Sequence, residues 1–113
     1  MPLSIGIDIE EVSRFKKYVK NMSGLKRIFS AEEISYSLPK KNPAEHLTAR
    51  FAAKEAVWKA LSAVNKKLLI TDISIKNTET GKPEVYIKNK RYKKISVSLS
   101  HTKNYVAAVA VTK

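Results

Sequence analysis

Residues 42–64, NPAEHLTARFAAKEAVWKALSAV, decide the fold. Asn42 as a cap, Pro43 at the first helical position and Glu45 in the first turn are three helix-start signals in four residues. The segment that follows is rich in Ala, Leu, Glu and Lys, with Leu47, Phe51, Trp58 and Leu61 at helical spacing. It predicts one long central helix ending near Val64. Working towards the N-terminus, Ser30 with Glu33 three residues on is a capping box, opening a short helix through Ile34 and Leu38 that Pro39 stops. Before that, Val12, Phe15, Val19 and Met22 recur every three or four residues among Arg14, Lys16, Lys17 and Lys20, which predicts an amphipathic helix ended by Gly24. At the start, Ser4 to Ile9 alternates as a strand, with Ile5, Ile7 and Ile9 on one face and Ser4, Gly6 and Asp8 on the other.

Beyond the central helix the period returns to two. Ile73 and Ile75 form one strand, Val85 and Ile87 a second, and NTETGKP between them supplies the Gly and Pro of a hairpin loop. The basic run KNKRYKK joins these to Ile95–Leu99 and Tyr105–Val111, a second hairpin closed by SHTKN. One strand, three helices and four strands predict an α+β class, a single small domain over residues 1–113 whose antiparallel sheet packs one face on the central helix.

Composition bounds the function. The 113 residues carry 22 Lys and Arg against 10 Asp and Glu, a net charge of +12, with 43% hydrophobic residues and no Cys. The hydrophobic content argues against disorder, and a chain of this size buries roughly two-thirds of its unfolded surface. Without Cys there is no disulfide scaffold, thiolate metal site or thiol nucleophile. No apolar run approaches the ~20 residues that span a bilayer, and no secretory h-region is visible, so the chain reads as cytosolic. The charge calls for an anionic partner: nucleic acid, membrane, phosphorylated small molecule or acidic protein.

Three segments could carry chemistry. Asp8 and Glu10, two residues apart on a strand, project to the same side, and two converging carboxylates repel unless a cation such as Mg²⁺ lies between them. Their ordinary reading is the start of the next helix, where carboxylates favour the dipole. Glu55 and Lys59 share a helix face, as do Arg50 and Lys54; such pairs also occur as solvated surface ion pairs. In ISVSLSHTKNY, residues Ser98, Ser100, His101, Thr102 and Lys103 gather donors suited to a phosphate or diphosphate. A Ser-His nucleophile is disfavoured there, because adjacent residues of an extended chain face opposite ways. His46, in the first helical turn, reads as solvent-exposed.

Taken together, GIDIEEVSRF, RFAAKEAVWKAL and ISVSLSHTKNYVAAVAV, in this order and with DISIKNTETGKPEVYI between the last two, resemble the holo-acyl-carrier-protein synthase family of 4′-phosphopantetheinyl transferases. The resemblance implies a Mg²⁺-dependent transfer of 4′-phosphopantetheine from coenzyme A to a serine of acyl carrier protein, releasing 3′,5′-ADP, in support of fatty acid biosynthesis. Asp8 and Glu55 match the family's metal ligands, with Mn²⁺ as a possible substitute ion, and Glu10 stands where larger relatives carry a third acidic ligand. Lys59 matches the lysine near the reacting phosphate; it and Glu55 are the implied catalytic residues, the serine proton going to Glu55 or to a metal-held water. Arg50, Lys54, Lys59 and His101, with Lys103 beside them, match the coenzyme A site. Arg14 matches a residue facing the carrier protein, which Lys17 and Lys20 would help to steer. Family members of this size form homotrimers with active sites shared between subunits. One departure stands out: where the family usually has a glycine-rich loop after the K-E-A-x-x-K helix, this chain has LSAVNKKLLITDI, implying a different loop shape or a longer helix. The rival readings are a basic nucleic-acid-binding module, which would use KNKRYKK with Tyr86 and Tyr92, and a non-catalytic trimer of the same fold.

Overall fold

A computed structural model describes residues 3–113. Its elements run β1 (Ile5–Glu11), a 3₁₀ helix (Val12–Lys20), α1 (Met22–Lys26), α2 (Ala31–Ser37), α3 (Pro43–Leu61), a 3₁₀ turn (Ile70–Asp72), β2 (Ile73–Asn77), β3 (Pro83–Ile87), β4 (Lys90–Arg91), β5 (Ile95–His101) and β6 (Tyr105–Thr112). The α+β class stands, but the strands form two antiparallel sheets, β1-β6-β5 and β2-β3-β4, rather than one.

Helix α3 lies between the layers, buried on several sides. Ala52, Ala53, Ala56 and Ala60 are fully buried, and their small side chains let the helix settle close onto β1 and β6. Gly6 on β1 completes that approach: a Cβ there would run into the Ala56 carbonyl oxygen. The alternation read in β1 is real, yet its orientation is the reverse of an ordinary core strand. Ile5, Ile7 and Ile9 are 60%, 67% and 67% exposed, while the Gly6 and Asp8 face meets α3.

The helix expected from Glu10 to Met22 is corrected. The strand continues to Glu11, and the following nine residues wind as a 3₁₀ helix, which suits the three-residue spacing of Val12, Phe15 and Tyr18. Phe15 is buried in a second core with Leu25, Phe29, Ile34 and Leu47. Gly24 does not end that helix. It lies inside α1, its amide donating to the Asn21 side chain, which caps the new helix. The Ser30–Glu33 capping box is present, and α3 begins on Pro43 although the Asn42 side chain makes no cap bond.

The glycine-free segment after α3 does not lengthen the helix, which ends at Leu61. It closes as a turn in which the Trp58 indole N–H donates to the Leu68 carbonyl at 2.8 Å. The basic run is also more than a connection. Lys88 and Asn89, with φ of 49° and 68°, make a two-residue hairpin that pairs Ile87 with Lys90 and Tyr86 with Arg91.

Candidate functional site

The site is built where β1 crosses α3. Because β1 stays extended through Glu11, Asp8 and Glu10 point the same way, towards the α3 face that carries Glu55 and Lys59. The Lys59 ammonium donates to the Ile7 carbonyl at 3.0 Å and reaches the Asp8 carboxylate at 3.4 Å, while remaining half exposed. Arg14, from the 3₁₀ helix, pairs with Glu10 at 2.9 Å and lies over the rings of Phe15 and Phe51.

The Asp8 carboxylate raises the proton affinity of two neighbouring acids, Glu10 and Glu55. Burial, and then a hydrogen bond with Asp8, push the Glu10 carboxyl up to about 7. Glu55 is likewise raised, first by burial and second by the Asp8 charge. Asp8 Oδ2 is buried and has no hydrogen-bond partner. An acceptor-only oxygen left so, among acids held above their ordinary range, fits a hard cation. Among the described residues no three His, Cys, Asp or Glu side chains close on an ion by themselves. A magnesium-type ion needs only one or two carboxylates, with water and phosphate oxygens completing the shell, so Asp8 and Glu55, with Glu10 beside them, suffice.

Positive groups collect at the other end of α3. A cleft of about 550 Å³ between the 3₁₀ helix and the start of α3 is lined by Lys16, Lys17, Lys20, Lys41 and Lys103 over Val12, Val19, Pro43 and Ala44. At its rim His101, at the end of β5, approaches Glu45 of α3 at 3.2 Å. Arg50 is 97% out of solvent by residue area, at 3% exposure. One guanidinium nitrogen donates to the His46 carbonyl, and the group stacks 4.1 Å from the Tyr36 ring centre. Its Nε and Nη2 have no partner. Burial lowers the Arg50 pKa, and Tyr36 partly offsets that.

A family model for the 4′-phosphopantetheinyl transferase superfamily matches residues 4–110. This chain belongs to that superfamily. Within it the chain sits among the holo-[acyl-carrier-protein] synthases. It is 45% identical over 109 residues to the holo-[acyl-carrier-protein] synthase of Thermodesulfovibrio yellowstonii, covering 95% of each chain. To that of Chlamydia caviae it is 43% identical over 116 residues, covering 96% of this chain and 94% of the other. The fold matches the Bacillus anthracis holo-(acyl-carrier-protein) synthase solved in complex with CoA (3′,5′-ADP), with a TM-score of 0.79, 31% identity and coverage of 96% and 94%. It equally matches the Helicobacter pylori enzyme solved in complex with coenzyme A, with a TM-score of 0.78, 31% identity and coverage of 96% and 99%.

For a transferase of this family, two expected coenzyme A contacts need correction. Lys54 does not share an open face with Arg50; it is wholly buried, with its ammonium donating to the Ile28 carbonyl at 2.6 Å and to Glu33 at 2.8 Å. Helix α3 is covered on that side too, so i, i+4 spacing could not reveal which pair faces solvent. Lys59 stands exposed beside Asp8, His101 is exposed beside Glu45, and Lys103 and Lys17 line the basic cleft, whereas Arg50, expected at the coenzyme A site with Lys54, is likewise sealed from solvent. Arg14 is half exposed but already engaged by Glu10. His46 is partly buried rather than solvent-exposed, edge-on to Tyr36, and its pKa is lowered first by burial and then by Arg50. Tyr36, which stacks on Arg50, and Glu45, which meets His101 and lines the basic cleft, are partners that sequence reading missed. Neither carries a local signal, since each gains its role from a residue on another element.

Proposed function

We propose that this holo-[acyl-carrier-protein] synthase homologue transfers 4′-phosphopantetheine from coenzyme A to a serine hydroxyl of an apo-acyl carrier protein, releasing 3′,5′-ADP with Mg²⁺ as cofactor. The observation that carries the reading is the meeting of Asp8 of β1 with Glu10 beside it and with Glu55 and Lys59 of α3, Asp8 Oδ2 being buried without a partner. Asp8 and Glu55 would hold the ion, with Glu10 next to them. When bound, Mg²⁺ supplies charge that offsets the diphosphate.

The chain's own residues do the remainder. Lys59, tethered by the Ile7 carbonyl, keeps its ammonium beside Asp8 where it can neutralise charge on the phosphate under attack. The exposed imidazole of His101 binds other phosphate oxygens, and Lys103 adds positive charge in the cleft. The serine proton goes to Glu55, whose carboxyl is held above its ordinary range, or to a metal-held water. Catalysis of this kind is largely positioning and electrostatics, which these groups supply. Acyl carrier proteins are acidic, and Arg14 and Lys17 present a positive flank to them.

The exposed stripe of Ile5, Ile7 and Ile9, continued across the sheet by partners Val111, Val109 and Ala107, supports assembly as a homotrimer through this face. Among the described residues no helix is long and apolar enough to cross a membrane, and we place the reaction in the cytoplasm, in fatty acid biosynthesis. Incubation with coenzyme A, Mg²⁺ and apo-acyl carrier protein, followed by mass spectrometry of the carrier, tests the reading. A phosphopantetheine adduct is expected; a carrier unmodified under every divalent ion tried would sink the enzymatic claim.

A further inference from the structure

We infer that the buried Glu33–Lys54 pair is a positioning device for the reaction, setting the rotation of α3 about its axis so that Glu55 faces Asp8. The inference rests on the transfer proposed above. Glu33 and Lys54 are both wholly buried, and the carboxylate is fully used. Its Oε1 accepts the Ser30 amide and the Lys54 ammonium, each at 2.8 Å; its Oε2 accepts the Ile75 amide at 2.8 Å. The ammonium also donates to the Ile28 carbonyl at 2.6 Å and lies 5.6 Å from the Phe29 ring centre. One carboxylate therefore ties the α2 cap, β2 and α3 to a single point.

The arrangement exceeds what packing needs. All three groups that meet Glu33 are donors, so only an acceptor-only side chain satisfies them; a Gln would set its own N–H₂ against one of the amides. A buried ion pair repays its desolvation poorly, and its better attested use is to fix one geometry among competing ones. The competing geometries here are rotations and slides of α3. Its closest approach to β1 is at Ala56 and Ala60, small side chains over Gly6 that offer no large knob to fix the rotation. Successive helical residues are about 100° apart, so anchoring Lys54 on the α2 side turns the adjacent Glu55 towards β1. Lys59, on the same face, then reaches the Ile7 carbonyl and Asp8. The charge is thus spent on orienting residue 55 and not on binding phosphate.

Lys54→Met and Lys54→Arg test this, with Ile95→Ala as a control destabilised at a buried position on β5, away from the pair. Each protein is compared at a temperature where circular dichroism shows it folded. For Lys54→Met we expect kcat to fall at least tenfold with KM for coenzyme A within twofold, and Mn²⁺ affinity, read by electron paramagnetic resonance, to weaken at least tenfold. Ile95→Ala should keep both values within threefold. Folded Lys54→Met with the unaltered kcat and Mn²⁺ affinity, or equal losses in Ile95→Ala, overturns the inference. If Lys54→Met does not fold, Lys54→Arg decides. Its charge is retained but its planar fork cannot occupy the ammonium's position, so kcat should drop at least threefold at near-native melting temperature, and an undiminished kcat overturns the inference. Should the unsubstituted protein neither transfer nor bind Mn²⁺, the proposed reaction fails. The positioning role is then judged from a crystal structure of whichever Lys54 variant folds, where Glu55 must have swung away from Asp8; an unmoved Glu55 overturns it.

Discussion

Lys54 and Lys59 are five residues apart on one helix, belong to one sequence motif, and have opposite fates. Lys54 is sealed from solvent against Glu33 at 2.8 Å, whereas Lys59 keeps 46% of its side chain exposed, 3.4 Å from Asp8. The difference shows what tertiary packing does to identical chemistry. A buried ammonium held by the Ile28 carbonyl and the Glu33 carboxylate is part of the scaffold; a half-exposed one, held by the Ile7 carbonyl and the edge of Asp8, keeps a face open to meet a phosphate.

The comparison breaks most visibly through Glu33. Glu33→Ala strands the Lys54 ammonium in the core, and we expect a loss of about 3–5 kcal/mol in urea unfolding. The matching change on the other side, Asp8→Ala, should leave unfolding within about 1 kcal/mol of the unsubstituted protein, because Lys59 is exposed and its pairing is worth little to stability. Transfer, however, should fall by at least ~10²–10³-fold, the loss typical of removing a group that stabilises developing charge. Wild-type rates in Asp8→Ala would remove Asp8 from the site.

Gly6→Ala tests the contact that brings the two lysines' helix onto β1. A methyl group aimed at the Ala56 carbonyl must push α3 away, and we expect a loss of about 1–3 kcal/mol in thermal or urea unfolding together with lower transfer. Unchanged stability would mean that β1 and α3 are less tightly apposed than described.

A further effect is a pH dependence. Folded protein holds a proton on Glu10 up to about pH 7, whereas an unperturbed carboxyl releases it near 4.5. The folded state therefore binds more protons than the unfolded chain through that window, and stability should decline as pH rises from about 5 to 7.5. Glu55, also raised, acts in the same direction. Mg²⁺ should flatten the decline. A urea midpoint that rises over this range without added ion would contradict the crowding of the three carboxylates.

Much of the fold was legible because its signals are local. Pro43 with Glu45, the Ser30–Glu33 box and the NTETGKP loop act within a few residues, and the structure reproduces each. The 3₁₀ helix was read as α because Val19 and Met22 mimic a longer period, and β4 was missed because Lys88 and Asn89 adopt positive φ without the customary glycine. For the site, residue types and spacing singled out Asp8, Glu10, Glu55 and Lys59, whose clustering needs only one strand and one helix to cross. Lys54, Tyr36 and Glu45 were misassigned or unseen, since their partners come from other elements.

What the sequence determined by itself was the menu: a strand bearing two acids, a helix bearing K-E-A-x-x-K, a Ser-His-Thr-Lys turn, and the excess of +12. Periodicity and capping encode backbone geometry over short range, so these elements could be read directly. Which face of each element meets the interior was decided only in three dimensions. The isoleucines of β1 point outward because α3, with its alanines, takes the Gly6 face, and Lys54 goes inward because Glu33 waits there. Burial depends on which surfaces compete for contact, and that competition runs between residues far apart along the chain.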